Sequence, residues 1–388
     1  MEAATQRDLG IGGVARFWAP LAFTWLMMAA EGPFLAAMVA RLPDPAPNLA
    51  AFGVAFAVAV LVEAPVIMML SAATALVADR ASFRLLRRFT TGLNLALTAV
   101  LALLVLTPAM GHICRAWIGM PDAAAKHTVD ALVVLLPWPG MIGYRRFYQG
   151  ILIRAGRTRR VAAGTGLRLG AMGATGAACF AFSELDGAVV GAAALSAGVV
   201  VEGLAARFMA RRQVASLERG EPLGAPAKAP LTLGRVLRFY VPLALTSVTA
   251  LAVHPAVSFF AGHGALPLAS LAVIPVVNAL VFPFRALGIS YQEVGIALLG
   301  EGAAGYRPIR DFAFVLGLAA VAGMALVVFT PLAGLWFGDV SGLGPGLAEL
   351  AELPAMVLVV LPGLSVLQAA QRAVLVRAGV TGPVSAGT

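Results

Sequence analysis

Residues 154–165 read RAGRTRRVAAGT, and residues 377–388 read RAGVTGPVSAGT. Eight of the twelve positions are identical, at an offset of 223. The same offset carries Thr107-Pro108 onto Thr330-Pro331, Phe89 onto Phe312 and Pro139-Gly140 onto Pro362-Gly363. The stretch RFWAPLAFT, from Arg16, recurs as RFYVPLALT, from Arg238, at an offset of 222. Such a register, held along the chain, marks a tandem duplication with a unit of about 220 residues.

Composition fixes the solvent. The chain is 60% hydrophobic and 12% charged, with a mean hydropathy of +0.89. Soluble domains average about 45–50% apolar and about 25% charged. Ten apolar stretches are each long enough to cross a hydrocarbon core of roughly 30 Å as a helix. They cover 16–41, 49–77, 89–113, 129–153, 161–184, 187–209, 236–262, 266–298, 312–337 and 350–376. Strand-like alternation is absent, and helices satisfy their own backbone in lipid, so the expected fold class is all-α and polytopic.

Charge placement gives an orientation. Arg80, Arg84, Arg87 and Arg88 follow the second span; Arg154, Arg157, Arg159 and Arg160 follow the fourth. Arg207, Arg211, Arg212, Arg219, Lys228 and Arg235 follow the sixth, Arg307 and Arg310 the eighth, and Arg377 the tenth. The alternate loops carry Asp44, Glu184, Asp186, Asp339 and Glu349, with few basic residues. The positive-inside rule places the N-terminus and the arginine-rich ends in the cytoplasm of a cell whose inner membrane holds the chain. The net charge of +9 follows from these juxtamembrane clusters beside anionic lipid, and calls for no nucleic acid.

The expected organisation is a cytoplasmic segment, 1–15, a first six-helix lobe, 16–210, a cytoplasmic linker, 211–235, and a second lobe, 236–388. The linker carries GEPLGAPAKAP. Six spans per unit make the copies parallel, related by an axis along the membrane normal. The second copy has no equivalent of spans 161–184 and 187–209. A longer reading frame or a partner chain is expected to complete it. Cys114 and Cys179 are expected as thiols. His112-Ile113-Cys114 lacks the second pair a zinc site needs. Neither a P-loop lysine motif nor a Gly-x-Ser-x-Gly elbow is present, so no cofactor, no metal and no enzymatic activity are expected.

Function should lie with ionisable groups inside the spans, because a charge in hydrocarbon is costly. Glu31-Gly32-Pro33 maps at offset 222 onto Val253-His254-Pro255. Glu31 and His254 therefore sit at equivalent depths beside equivalent prolines. Each could bind a proton, a cation or the substrate, or could satisfy a kinked backbone. Glu63-Ala64-Pro65 is a third acid next to a proline, and these three are the candidates for the coupling ion. Arg145, Arg146, Arg168 and Glu202 share a layer roughly 12 Å from their helix ends, at 1.5 Å per residue. Two readings are open: guanidinium forks binding phosphate or carboxylate, or internal ion pairs such as Arg168 with Glu202. Arg145 and Arg146 differ by about 100° in azimuth, so they face different neighbours. Gln149, Arg285, Gln371 and Arg372 add polar character to the candidate substrate site. Pro275 and Pro283 predict a kinked or broken eighth span. Gly166 and Gly170 have the spacing of a helix-packing stripe. Across the whole chain the buried charges nearly cancel, with Arg145, Arg146, Arg168 and Arg285 against Glu31, Glu63, Glu202 and Glu293.

Two tandem six-helix lobes, each opening with Arg-Phe-aromatic-x-Pro-Leu-Ala, resemble the multidrug/oligosaccharidyl-lipid/polysaccharide exporter superfamily. Within it, RFYVPLALT at 238–246 and QGILIRAG at 149–156 are most similar to the progressive ankylosis protein family. The resemblance implies a secondary transporter that exports a small anion, such as pyrophosphate, a nucleotide or a carboxylate, by alternating access between its lobes. The alternatives are a flippase for a lipid-linked saccharide, a cation-coupled multidrug antiporter and, in another class, a membrane-embedded lipid transferase.

Overall fold

The structure, a computed structural model, describes residues 10–182, 184–223, 230–299 and 306–377. The second copy of the opening motif beyond Arg377, the linker around Lys228 and the side chain of Glu293 lie outside the described residues. The chain is an all-α polytopic membrane protein. The first copy of the repeat runs through α1 (Ile11–Ala29), α2 (Glu31–Ala40), α3 (Pro45–Ile67), α4 (Met69–Leu76), α5 (Arg80–Leu106), α6 (Ala109–His112), α7 (Asp122–Val134), α8 (Trp138–Arg154), α9 (Thr158–Phe182) and α10 (Gly187–Met209). A short amphipathic α11 (Arg211–Arg219) opens the linker. The second copy runs through α12 (Leu233–Leu251), α13 (Val253–Gly262), α14 (Pro267–Leu298), α15 (Tyr306–Val328), α16 (Leu332–Gly334), α17 (Pro345–Val357) and α18 (Leu361–Arg377).

The duplication is written into the element boundaries. At offset 222, α1 and α2 map end to end onto α12 and α13. At offset 223, α7 and α8 map onto α17 and α18 in the same way. Thr107 and Thr330 make the same turn: each hydroxyl donates to the carbonyl four residues back, at 2.7 and 2.6 Å, and accepts from the amide two residues on. A wide helical turn follows in both copies, at Ile113–Trp117 and Leu335–Val340. Each ends at a glycine with positive φ, Gly119 at 78° and Gly342 at 74°, a conformation that a Cβ disfavours.

Among the described residues, eight helices or helix pairs are long and apolar enough to cross a membrane. Two of the ten expected spans are not among them. The span expected at 129–153 is interrupted after Val134, where Pro137 and Pro139 remove amide donors, leaving α7 and α8 as separate pieces. The span expected at 161–184 is the single helix α9, which carries Arg159, Arg160 and Arg168. The eighth span, expected to be kinked or broken, is not broken: α14 continues for 32 residues through Pro275 and Pro283. Outward-facing side chains such as Leu95, Leu103, Leu106, Phe182, Phe260 and Phe314 are exposed, as lipid requires.

Packing divides the chain differently from the repeat. One compact unit comprises Met1–Arg41 with Val273–Thr388, the other Leu42–Ala272. In the first, Trp18 of α1 donates to Ser290 Oγ at 2.9 Å and meets Phe312 edge-on at 5.5 Å. In the second, α12 and α13 pack on α3, and the Tyr240 hydroxyl donates to the Pro65 carbonyl. Each copy's opening span thus belongs to the packing unit that holds most of the other copy.

The second unit has a core of Met69, Phe83, Leu86, Phe147, Ile151 and Leu217. Asp79 starts α5 with a capping box, accepting the Ser82 amide at 2.8 Å. That hydrogen bond is the main cause holding its carboxyl below the usual range. α4 and α8 approach closely at Gly150. A Cβ there would lie 2.5 Å from Ala73 Cβ and 2.7 Å from the Leu70 carbonyl oxygen. Gly150→Ala is therefore expected to destabilise the protein by about 1–3 kcal/mol, read as a lower melting temperature in detergent. The stripe expected at Gly166 and Gly170 is corrected: both face open space, with nothing within 4 Å of a built Cβ. Gly164 packs instead: a Cβ built there would lie 3.4 Å from Met209 Cε and 3.6 Å from Glu202 Cγ. Gly166→Ala is the matched control, and should leave the melting temperature unchanged or raise it.

Candidate functional site

The site in the second unit is built around Glu202, whose side chain is 1% exposed. Small residues on α10 let its neighbours converge. A Cβ on Gly198 would stand 3.1 Å from the Arg168 carbonyl oxygen, and one on Gly203 would stand 2.6 Å from Met141 Cε. α8 and α9 can therefore press their long side chains toward the same carboxylate. Arg145 Nη1 is ion-paired with Glu202 Oε2. Gln149 Nε2, one turn further along α8, donates to Oε1 at 2.9 Å. Arg168 Nη1 lies 3.8 Å from Oε2, and its guanidinium stands over the Trp138 ring at 5.8 Å. Arg145, Gln149 and Arg168 are all buried. The spacing 138, 145, 149 places the ring, the guanidinium and the amide on one face of α8.

Glu63 enters from α3, two residues before Pro65, and is buried. Its carboxylate lies in the fields of Arg145, Arg146 and Arg168, and beside the Trp138 indole. Its Oε2 has no hydrogen-bond partner among the described residues. Arg146 is partly exposed, with its Nε buried, and lies in the fields of Arg145, Glu202, Glu63 and Arg168. It forms no ion pair among the described residues, in contrast to Arg145. The 100° step along α8 accounts for the division: Arg145 points at Glu202, and Arg146 does not. The cluster holds three guanidinium groups and two carboxylates, one positive charge in excess if all are ionised. The near-cancellation over the whole chain therefore does not hold within this unit.

The other predicted residues are distributed otherwise. Arg285, in the first unit, donates from Nε to Ser365 Oγ at 3.2 Å. Gln371 is exposed and Arg372 partly exposed, both on α18. At the 223-residue offset Gln149 corresponds to Arg372, so the position holds a buried amide in one copy and a partly exposed guanidinium in the other. Glu31 is the first residue of α2 and His254 the second of α13, one position apart in the repeat register, each just after a helix break. They fall in different packing units. A built Cβ on Gly32, beside Glu31, would be 3.8 Å from Ala279. Trp138 was not expected in the site, although its place seven residues before Arg145 puts it on the same helix face.

Cys114 and Cys179 are thiols, not a disulfide. Burial pushes the Cys114 thiol up to about 11, against smaller opposing effects of the Thr128 hydroxyl and Arg115. The thiolate is the reactive form. A maleimide at pH 7 is therefore expected to label Cys114 far more slowly in the folded protein than after denaturation in detergent, as counted by intact-mass spectrometry.

No protein-family model matches the chain, and no curated protein does. Solved structures do. The chain is similar to a multidrug resistance MATE family transporter of the MOP superfamily in an inward-facing conformation, with a TM-score of 0.65 and 19% identity, covering 93% of this chain and 82% of that one. It is similar to a MOP superfamily transporter from Pyrococcus furiosus, described by the reversed polarity of its binding pocket, with a TM-score of 0.62 and 18% identity, covering 97% and 84%. It is also similar to an outward-facing MATE family transporter, at 0.58 and 18%, covering 98% and 86%. At these identities the likeness defines the fold, which is that of MATE-type transporters of the MOP superfamily. The narrower resemblance to the progressive ankylosis protein family finds no support among them.

Proposed function

We propose that the chain is a secondary transporter that moves a small anion by alternating access between two lobes. The fold supports the transport part. Structures sharing it include inward-facing and outward-facing members. The excess positive charge around Glu202 supports an anion. Arg145 and Arg168 are held by Glu202, while Arg146 is partly exposed and forms no ion pair among the described residues. A guanidinium placed so can offer a fork to phosphate or carboxylate. Glu63, with an oxygen lacking a hydrogen-bond partner among the described residues, is the first choice for the coupling proton or cation, with Glu31 and His254 as further candidates. Arg285, Gln371 and Arg372, in the first unit, are kept as further candidates for substrate contact. The described polarity reversal in the Pyrococcus furiosus protein fits a fold that can host pockets of either sign. The arginine-rich helix ends, and with them the N-terminus, are assigned to the cytoplasmic side of a plasma membrane.

A second reading is a cation-coupled multidrug antiporter, favoured by the multidrug resistance described for the neighbours. Purified protein in proteoliposomes, offered labelled pyrophosphate, citrate or a cationic dye, separates the two. Movement of an anion, competed by the other anion and not by the dye, is the expected result. Movement of the dye alone would replace the anion reading with the antiporter.

A further inference from the structure

Asp186 immediately precedes α10, at the end of that helix opposite Arg207. An aspartate in this position ordinarily accepts an amide of the first helical turn. Here its side chain makes no capping hydrogen bond. Asn48 of α3 takes that role: its Oδ1 accepts the Ala188 amide at 2.9 Å. Its Nδ2 is fixed by the Pro43 and Asp44 carbonyls at 3.0 and 3.1 Å. The Asp186 carboxylate is thereby released to face α7.

It meets His127, whose Nδ1 is 3.0 Å from Asp186 Oδ2. Asp130 stands beside them, one turn along α7 from His127. Potential ligand atoms of all three residues lie within 4.8 Å of one another. Asp130 and Asp186 also border an open cleft of about 370 Å³, which Glu184 lines as well. A water occupies about 30 Å³ of liquid, so the cleft has room for an ion with several waters. The opposing cation is Lys126, 3.0 Å from Asp130 Oδ2, whose side chain is 71% exposed and can swing into solvent. The positive end of α10 also opposes a cation, but as a fractional charge near two or three carboxylates.

We propose that His127, Asp130 and Asp186 form a binding site for a divalent first-row transition-metal ion, with Glu184 and water completing its coordination. An imidazole nitrogen with carboxylate oxygens suits Zn2+ better than Ca2+ or Mg2+, which favour all-oxygen sets. The bound ion would clamp α7 to the head of α10 and fix the turn that joins α9 to α10. The site is separate from the Glu202 cluster, and the proposal does not depend on the transport reading.

The test uses the full chain, purified in detergent and stripped with EDTA. Zn2+ titrated in a calorimeter should bind as one saturable equivalent and raise the melting temperature, with EDTA reversing the rise. Co2+ should show an absorption band from imidazole ligation. His127→Ala and Asp186→Asn should each weaken binding by at least about tenfold, and His112→Ala should not. Asp186→Asn keeps the side-chain shape, so its effect does not depend on tolerance of a truncation. Lys126→Ala should tighten binding by removing the competing ammonium. Two results would overturn the proposal. One is equal Zn2+ affinity in the wild type, His127→Ala and Asp186→Asn. The other is no saturable binding up to about 1 mM, the regime of a few kcal/mol at most.

Discussion

Glu202→Ala should be the most damaging single substitution in the protein. It leaves the buried guanidinium groups of Arg145 and Arg168 without the carboxylate that pairs with both, and strips Gln149 of its acceptor. Removing one member of a buried ion pair costs about 3–5 kcal/mol, because the remaining charge stays desolvated. A membrane interior gives that charge few other partners. Little folded protein is expected, seen as a collapsed monodisperse peak in size-exclusion chromatography and a much lower melting temperature. Glu202→Gln keeps the shape and the polar contacts, and should lose less. In the double variant Arg145→Leu, Glu202→Leu, part of the loss should return, since buried pairs are often replaceable by apolar residues. Wild-type stability in Glu202→Ala would show that water reaches the cluster and that Glu202 is not its organiser.

Arg146→Gln should do the converse, leaving the fold intact and removing transport. Arg146 is partly exposed and forms no ion pair among the described residues, so its loss strands no carboxylate. A charge-assisted hydrogen bond to a bound anion contributes about 1.5–3 kcal/mol, or roughly 10- to 100-fold in transport efficiency. Arg146→Lys should recover part of it, because an ammonium keeps the charge without the planar fork. The measurement is anion uptake into proteoliposomes, normalised to correctly inserted protein. Full uptake by Arg146→Gln would remove the anion site from this cluster and leave the charges there as structural pairs. These two variants separate the roles of neighbouring arginines that the sequence presents as a doublet.

The duplication, the all-α class and the membrane setting were legible in the sequence because each is a property of pattern. A repeat survives as identity at fixed offset, and a spanning helix must be apolar over a length set by the bilayer. Even the element boundaries of α7, α8, α17 and α18 obey the 223-residue offset. The approach of Arg145 and Arg168 to Glu202 was also legible, because residues at equal depth in neighbouring helices form a layer, whereas Gln149 was read only as added polar character. The partner choice within that layer was not. Sequence reasoning offered Arg168 with Glu202. The structure gives Glu202 first to Arg145, because azimuth around α8 and the small residues of α10 decide which side chain reaches it.

What the tertiary structure alone decided is association between segments far apart in the chain. Depth along a helix can be counted from its ends, but the identity of its neighbour depends on packed volume and complementary surface. So the sequence by itself established two copies of one unit and which residues lie deep within each. It could not show that α1 packs with α15 while α12 packs with α3, nor that Asn48 takes over the capping of α10 and turns Asp186 toward His127. Those outcomes rest on contacts between segments far apart in the chain, 140 residues for Asn48 with Ala188, and no local propensity encodes them.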